Sequence, residues 1–244
     1  MRFILYLIIG FSLIGCGPEK ELDATADWSV EKFYNEARKE LADENYLTAI
    51  EYYETLESRF PFGKYATQAQ IDVAYAYYKF GEPDSALTAL DRFIKLHPRH
   101  ELVDYAYYLK GLVNFGRGGT ILDVLSERDM SAFDKNLLLT AYNDFKILLQ
   151  RFPRSKYAAD AQKRIIFLRD ELARSDFRVA NFYAERGAWV AVANRTRFIL
   201  QNYQGSSVIR STLQLQLEAY QQLGLDELAR DTQRILELNY SRDS

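Results

Sequence analysis

The sequence predicts an all-α protein, a right-handed α-solenoid built from about five helix–turn–helix repeats. Apolar residues recur at three- and four-residue spacing from residue 30 almost to the end of the chain, and no alternating strand pattern interrupts them. The prolines of this region stand only between such segments, where a proline bounds a helix. A fixed residue spacing also returns along the chain, which indicates that pairs of helices repeat.

A small residue, two large residues and a proline carry the repeat. They occur as Ala49, Tyr53, Leu56 and Pro61, and the same spacing starts again at Ala86 and at Ala141. In three units an aromatic residue and a glycine precede the small position: Tyr77 and Gly81, Tyr183 and Gly187, Tyr220 and Gly224. This unit resembles the tetratricopeptide repeat, in which the small residue lets two helices approach, the glycine ends the first helix and the proline ends the second.

Two irregularities divide the array. Repeats one to three occupy residues 30–155 and begin near residues 30, 67 and 102; in the first, Glu40 and Glu44 stand where tyrosine and glycine are expected. An insert over residues 116–134 delays the second helix of the third repeat by 18 residues. Residues 156–244 are predicted to hold an extra amphipathic helix at 156–172, followed by repeats four and five, which begin near residues 173 and 210.

The first fifteen residues predict a lipoprotein signal peptide. Arg2 precedes the apolar run Phe3–Ile14, which is shorter than the roughly 20 residues of a membrane span and suits a signal-peptide core. The run ends at Gly15 and Cys16, the only cysteine of the chain and the expected site of a covalent lipid, with an N-acyl and an S-diacylglycerol group. A lipidated linker is expected over residues 16–29; the alternative is a buried apolar helix with an incidental cysteine.

Composition argues against several classes of function. The 244 residues include 31 Lys+Arg and 34 Asp+Glu, so the chain has no basic excess for nucleic acid, and no nucleic-acid partner is expected. A single cysteine allows no internal disulfide, and the two histidines, His97 and His100, are too few for a histidine-based catalytic centre or a structural zinc site. We therefore expect no enzyme, no metal and no cofactor apart from the lipid.

The concave face of the first three repeats is predicted to be aromatic with a few cations, while that of the last two is polar. Aromatic rings beside Lys and Arg suit an extended peptide that carries an aromatic residue and a carboxylate. The alternative is that these tyrosines only pack between helices. The candidate groove residues are Tyr34, Arg38, Tyr75, Tyr78, Lys79, Tyr105, Tyr108 and Phe115.

Four segments carry a more specific resemblance: Arg59–Gly63, Ala74–Lys79, Asp91–Ile94 and Tyr183–Val192. Together with Cys16 and the helical array, they resemble the BamD family, lipoproteins of the β-barrel assembly machinery of Gram-negative outer membranes. The resemblance implies an outer-membrane lipoprotein that faces the periplasm and touches the membrane through its lipid anchor only. It also implies that the carboxy-terminal half binds the periplasmic domains of BamA, and that smaller Bam lipoproteins are further partners. The amino-terminal repeats would recognise carboxy-terminal signals of unfolded outer-membrane β-barrel proteins.

The same resemblance suggests Arg186, Trp189, Asn194 and Arg195 for the surface that faces BamA. The alternative is that Trp189 packs in the core while both arginines are merely solvated. Two other functions stay open at this point. One is a repeat lipoprotein that scaffolds cell-wall synthesis enzymes. The other is an enzyme acting on peptidoglycan, for which Glu185 with Glu218 is the only carboxylate pair to nominate.

Overall fold

The computed structural model describes residues 23–117 and 134–240, and these residues form ten α-helices without a strand, which confirms the all-helical repeat prediction. The helices are α1 (Val30–Ala42), α2 (Tyr46–Arg59), α3 (Lys64–Phe80), α4 (Pro83–Leu96), α5 (Val103–Arg117), α6 (Lys135–Arg151), α7 (Ala158–Ala184), α8 (Trp189–Asn202), α9 (Ile209–Gln222) and α10 (Asp226–Tyr240).

Each helix packs on the next one along the chain, and the first helices of successive pairs also touch: α1 with α3, α3 with α5, and α7 with α9. The first helices therefore lie side by side in one layer and the second helices in another. The core follows this stacking, because the buried residues form four successive clusters along the array instead of one central core.

A residue with left-handed backbone conformation follows the first helix in four of the helix pairs. Gly81, Gly187 and Gly224 have φ values of 88°, 68° and 68°, a conformation that glycine adopts without steric cost. Glu44 takes the same place in the first pair with φ 63°. The turn geometry is therefore kept even where the glycine is missing, and Glu44 strains the backbone there by about 1 kcal/mol.

The small positions of the repeat lie at closely packed helix crossings. Ala49, Ala86 and Ala141 are fully buried. Gly111 in α5 is the most tightly enclosed, because a Cβ added there would lie 2.6 Å from Cε1 of Phe145 in α6. The crossing of α5 and α6 thus depends on the absence of a side chain at residue 111.

The insert separates α5 from α6 as expected, since α5 ends at Arg117 and α6 begins at Lys135. The Asp134 side chain caps α6 by accepting a hydrogen bond of 2.8 Å from the backbone N–H of Asn136. Residues 118–133 of the predicted insert lie outside the described residues.

The extra helix predicted at 156–172 is not a separate element. It continues into the first helix of repeat four as α7, which has 27 residues. The reason is local: residues 158–184 contain neither glycine nor proline, and the buried positions keep a helical register from Ala161 through Leu168 and Leu172 to Ala180.

The end of the predicted linker 16–29 packs on the first repeat. Arg59 donates a hydrogen bond of 2.8 Å to the carbonyl oxygen of Thr25 and pairs with Asp23. The Trp28 ring lies against Phe33 and Tyr52, with centroid distances of 5.1 and 5.3 Å. The signal peptide at 1–15 and Cys16 lie outside the described residues. Within the part of the chain that the structure describes, no helix is long and apolar enough to cross a membrane.

Candidate functional site

The groove begins between α1 and α3, where the half-buried carboxylate of Asp72 anchors a tyrosine. The Tyr34 hydroxyl donates to Oδ2 of Asp72 at 3.0 Å, and the Gln68 side-chain amide donates to Oδ1 at 2.9 Å. Burial raises the pKa of Asp72, although these two hydrogen bonds act in the opposite direction. The guanidinium carbon of Arg38 lies 5.8 Å from the centroid of the Tyr34 ring, so a cation flanks this tyrosine.

Tyr53 and Tyr65 complete the aromatic cluster around Tyr34. Their ring centroids lie 6.2 and 5.3 Å from that of Tyr34. The Tyr53 hydroxyl is buried and has no hydrogen-bond partner among the described residues, and burial raises its pKa. Tyr53 therefore serves packing, while the half-buried rings of Tyr34 and Tyr65 remain partly accessible.

The middle of the groove is formed by the carboxy-terminal half of α3. The rings of Tyr75 and Tyr78 lie 6.4 Å apart and are half-buried against the core. Lys79 is exposed, and its ammonium lies 5.7 Å from the ring centroid of Tyr46. This part of the groove presents two phenolic rings beside a cation.

The far end lies between α5 and the start of α7. The Tyr157 ring stacks on Tyr108, with 4.6 Å between centroids and 13° between planes, and lies 5.4 Å from Tyr105. The Tyr108 hydroxyl donates to Oδ2 of Asp160 at 2.7 Å, and Nε of Arg164 donates to the same oxygen at 2.5 Å. Burial and the neighbouring Asp160 raise the pKa of Tyr108 to about 12. Burial opposes ionisation of Asp160, but the hydrogen bonds from Tyr108 and Arg164 outweigh it and lower its pKa.

Seven of the eight predicted groove residues are at least partly accessible, and Phe115 differs. Phe115 is only 8% exposed, packs edge-on against Phe167 at 5.9 Å and lies 5.2 Å from the guanidinium carbon of Arg164. Sequence reasoning missed Asp72 and Asp160, which hold the tyrosine hydroxyls. Nothing in the helical spacing indicates that α7 packs against α5 and brings Asp160 to this face.

Arg186, in the carboxy-terminal half, stacks on an exposed aromatic ring. Its guanidinium carbon lies 3.4 Å from the centroid of Phe182, and its Nη1 donates to the Phe182 carbonyl oxygen at 3.0 Å. Phe182 is 49% exposed, so ring and cation present one surface to solvent. Such a stacked arginine is a common anchor in protein–protein interfaces.

Two adjoining surface grooves run along α8, and both are lined by Ala191 and Asn194. Trp189, Val190 and Leu223 line the first, and Tyr183, Arg195 and Phe198 line the second. Trp189 also packs against the core cluster of α7 to α10, so the same ring serves both the core and the surface. Val190 is 62% exposed and Phe198 is 40% exposed, which makes the edge of α8 apolar.

Arg195 holds a buried carboxylate. Its Nη1 donates to Oδ1 of Asp176 at 3.0 Å, and the Lys135 ammonium donates to both Asp176 oxygens at 2.7 and 2.8 Å. Asp176 is 1% exposed and depends on these two cations for charge compensation. Arg195 is therefore partly structural, and charge reversal there would destabilise the array as well as alter the surface.

The acidic and histidine residues considered for chemistry are an exposed carboxylate pair and two histidines in an inter-repeat turn. Glu185 and Glu218 are both exposed to solvent. His97 is hydrogen-bonded through Nε2 to Oε1 of Gln70 at 2.8 Å, and both histidine rings pack on Phe93. The described residues contain no group of three or more His, Cys, Asp or Glu side chains placed to hold a metal ion.

Comparisons with known proteins agree with the lipoprotein resemblance. Residues 26–235 match the family model YfiO, described as an outer membrane lipoprotein. A protein of Neisseria meningitidis serogroup A named outer membrane protein assembly factor BamD is 44% identical over 99% of this chain and 92% of its own length. The Vibrio cholerae protein of the same name is 40% identical over 93% of both chains. Among solved structures, the crystal structure of MamA protein aligns with a TM-score of 0.39 at 16% identity, over 88% of this chain and 95% of that one. The extent of the sequence matches shows that the chain belongs to the YfiO/BamD family of outer membrane lipoproteins.

Proposed function

We propose that the protein is a non-enzymatic, lipid-anchored scaffold that works on the periplasmic side of the outer membrane in the assembly of β-barrel proteins. Its relatives are named outer membrane protein assembly factors, which supports the general role. In this proposal the carboxy-terminal repeats bind the periplasmic domains of BamA, with smaller Bam lipoproteins as further partners. The amino-terminal groove receives carboxy-terminal signals of unfolded outer-membrane proteins.

The observation that carries the groove assignment is the line of half-buried tyrosines from Tyr34 through Tyr75 to Tyr108, flanked by exposed Arg38 and Lys79. Half-buried rings offer apolar faces at little entropic cost because packing already fixes their rotamers. The cations complement a carboxylate at or near the end of a bound peptide. An extended chain with aromatic side chains and a free carboxylate is the ligand with matching chemistry.

The test uses a variant that removes ring faces and charge but keeps apolar volume: Tyr75→Leu, Tyr78→Leu and Lys79→Met together. Binding of a fluorescent peptide that copies the last residues of an outer-membrane barrel protein is measured by anisotropy. We expect affinity to fall at least tenfold, while the urea unfolding midpoint changes little. A control with Tyr52→Leu and Lys95→Met, both on second helices, should bind like the unaltered protein. Unchanged affinity in the triple variant would refute the groove assignment.

The partner surface is supported by the stacked Arg186, the Trp189 groove and the exposed Val190. Because Arg195 also neutralises buried Asp176, the cleaner test changes Arg186→Glu and Val190→Asp. We expect loss of binding to the periplasmic domains of BamA in a pull-down, with unfolding unchanged. Lys146→Glu, another exposed cation, should leave binding intact. Retained association in the double variant would place the interface elsewhere.

The lipid anchor and the choice between scaffolds have their own tests. Mass spectrometry of the amino-terminal peptide should show an N-acyl, S-diacylglycerol cysteine at residue 16, and Cys16→Ser should release the protein from membranes.

Co-purification from detergent-solubilised envelopes should recover BamA in near-stoichiometric amount. Recovery of cell-wall synthesis enzymes without BamA would instead support the alternative scaffold.

A further inference from the structure

Two turns of the array share a sequence that the other turns lack. Residues 59–65 read Arg-Phe-Pro-Phe-Gly-Lys-Tyr and residues 151–157 read Arg-Phe-Pro-Arg-Ser-Lys-Tyr, identical at five of seven positions. The corresponding turns at 96–102 and 202–208 end in His-Glu-Leu and Ser-Ser-Val. The Lys-Tyr pair is therefore confined to the turns that open α3 and α7.

Both tyrosines make the same contact. Tyr65 packs on Tyr34 of α1 with 5.3 Å between ring centroids, and Tyr157 packs on Tyr108 of α5 with 4.6 Å. A lysine ammonium lies over each turn tyrosine, Lys64 at 4.8 Å and Lys156 at 5.0 Å from the ring centroid. Each site is thus a tyrosine pair between neighbouring first helices, covered on one side by an exposed lysine.

In each pair, one tyrosine hydroxyl is hydrogen-bonded to an aspartate carboxylate. The Tyr34 hydroxyl donates to Asp72, and the Tyr108 hydroxyl donates to Asp160. An arginine accompanies each pair as well, Arg38 at the first and Arg164 at the second. The four rings are held in place by contacts inside the array, yet all four remain half-buried and partly open to solvent.

Both pairs lie on the layer of first helices, and Tyr105 of α5 lies beside the second pair. Its ring lies 5.4 Å from that of Tyr157. Burial raises the pKa of Tyr105, and Tyr157, Tyr75 and Asp72 raise it further. A single ligand chain in the groove would therefore meet both pairs.

The spacing of the pairs follows from helix packing. The first pair lies between α1 and α3 and the second between α5 and α7, so two steps of the first-helix layer separate them. Packed helices stand about 8–10 Å apart, which gives a separation of about 16–20 Å. An extended chain rises about 3.3 Å per residue, so about five to six residues span this distance. Of these two spacings only the even one, six, points both side chains of an extended ligand to the same face.

We propose that the two tyrosine pairs, Tyr34 with Tyr65 and Tyr108 with Tyr157, bind one extended polypeptide segment that carries two aromatic side chains about six residues apart. The inference rests on the proposed peptide recognition and adds a spacing rule to it. Each aromatic side chain packs on the open edge of one pair, and the adjacent lysine favours a carboxylate on the ligand. An aromatic residue at an odd spacing points away from the second pair.

The test compares three fluorescent peptides of equal length and charge: two aromatic residues six apart, two aromatic residues three apart, and a single aromatic residue. Binding to the full chain in detergent is measured by anisotropy. We expect the six-residue spacing to bind about fivefold more tightly than the other two. Tyr65→Leu and Tyr157→Leu should each lower its affinity about fivefold, and the double variant about 25-fold if the sites act independently. Tyr52→Leu is the matched control.

The outcomes separate this inference from the proposed function. Equal binding of the three peptides, or sensitivity to one tyrosine variant only, would overturn the spacing rule while peptide recognition stands. Absence of binding by every peptide to the unaltered protein would overturn both. If a tyrosine variant fails to fold, Lys64→Met and Lys156→Met replace it. Each substitution should weaken the binding of an acidic peptide whose two aromatic residues are six apart, and this loss of affinity should be smaller at high salt.

Discussion

Replacing Gly111 with alanine tests the packing of α5 on α6 more directly than any other single change. A Cβ at residue 111 would lie 2.6, 2.7 and 2.9 Å from Cε1, Cδ1 and Cζ of Phe145. Ordinary carbon contacts are about 3.5–4.0 Å, so the ring would have to move by about 1 Å. Phe145 is fully buried in the largest of the core clusters, where close packing leaves no free space for that movement.

The size of the effect comes from two opposing contributions. Overpacking a well-packed core costs about 1–3 kcal/mol, and the full burial of the Phe145 ring that the Cβ would meet favours the upper part of that range. Alanine gains about 1 kcal/mol over glycine in a helix interior. We therefore expect Gly111→Ala to lower the free energy of unfolding by about 1–2 kcal/mol, measured by urea unfolding followed by circular dichroism.

Gly116→Ala is the matched control, because it lies in the same helix and an added Cβ there has nothing within 4 Å. It should be neutral or stabilising by up to about 1 kcal/mol, so the difference between the two variants isolates the steric cost. In a Phe145→Leu background the cost of Gly111→Ala should largely disappear, since the smaller side chain leaves room for the Cβ. Equal effects of the two glycine substitutions would refute the packing argument.

Three further predictions concern the backbone and the buried charges. Glu44→Gly should raise the free energy of unfolding by about 0.5–1 kcal/mol in urea titrations, because φ is 63° at this residue; a destabilisation would mean that the backbone is not strained there. Asp144, hydrogen-bonded to Asn114 and 7% exposed, has a pKa raised by burial above 3.8, so its native state retains a proton that the unfolded chain releases. The stabilisation by protonated Asp144 is therefore lost as pH rises from 3.8 through the raised pKa. We expect the free energy of unfolding of Asp144→Asn to increase over this pH range relative to that of the unaltered protein. A difference between the two proteins that does not change with pH would contradict this reasoning. Arg195→Glu should destabilise by about 2 kcal/mol because it faces buried Asp176, whereas Arg195→Met should cost less; equal costs in thermal unfolding would show that the charge is screened.

Local patterns were sufficient to predict most of the helical architecture. Three- and four-residue apolar spacing marks amphipathic helices, and Gly81, Gly187 and Gly224 stand at left-handed helix ends as their positions predict. The small residues at helix crossings and the delayed start of α6 followed from the same repeat. Each of these features depends on residues close together in the chain, so sequence spacing is enough to reveal it.

The continuity of α7 was not predicted, because the repeat pattern suggested a boundary at residue 173 that no glycine or proline supports. Sequence reasoning also did not predict that Arg195 pairs with Asp176, nineteen positions earlier in the chain. Which charges meet depends on how neighbouring helices are rotated and offset, and a periodic pattern does not specify either quantity.

By itself, the sequence determined the all-helical class, the repeat, the turn residues and the resemblance to outer-membrane assembly lipoproteins. Only the tertiary structure decided which aromatic residues are accessible. Tyr34 and Tyr108 are half-buried beside the carboxylates of Asp72 and Asp160, while Phe115 is buried in the core. The physical reason is that exposure in a stacked array is set by the next repeat. Here α7 covers Phe115 and at the same time brings Tyr157 and Asp160 to the groove.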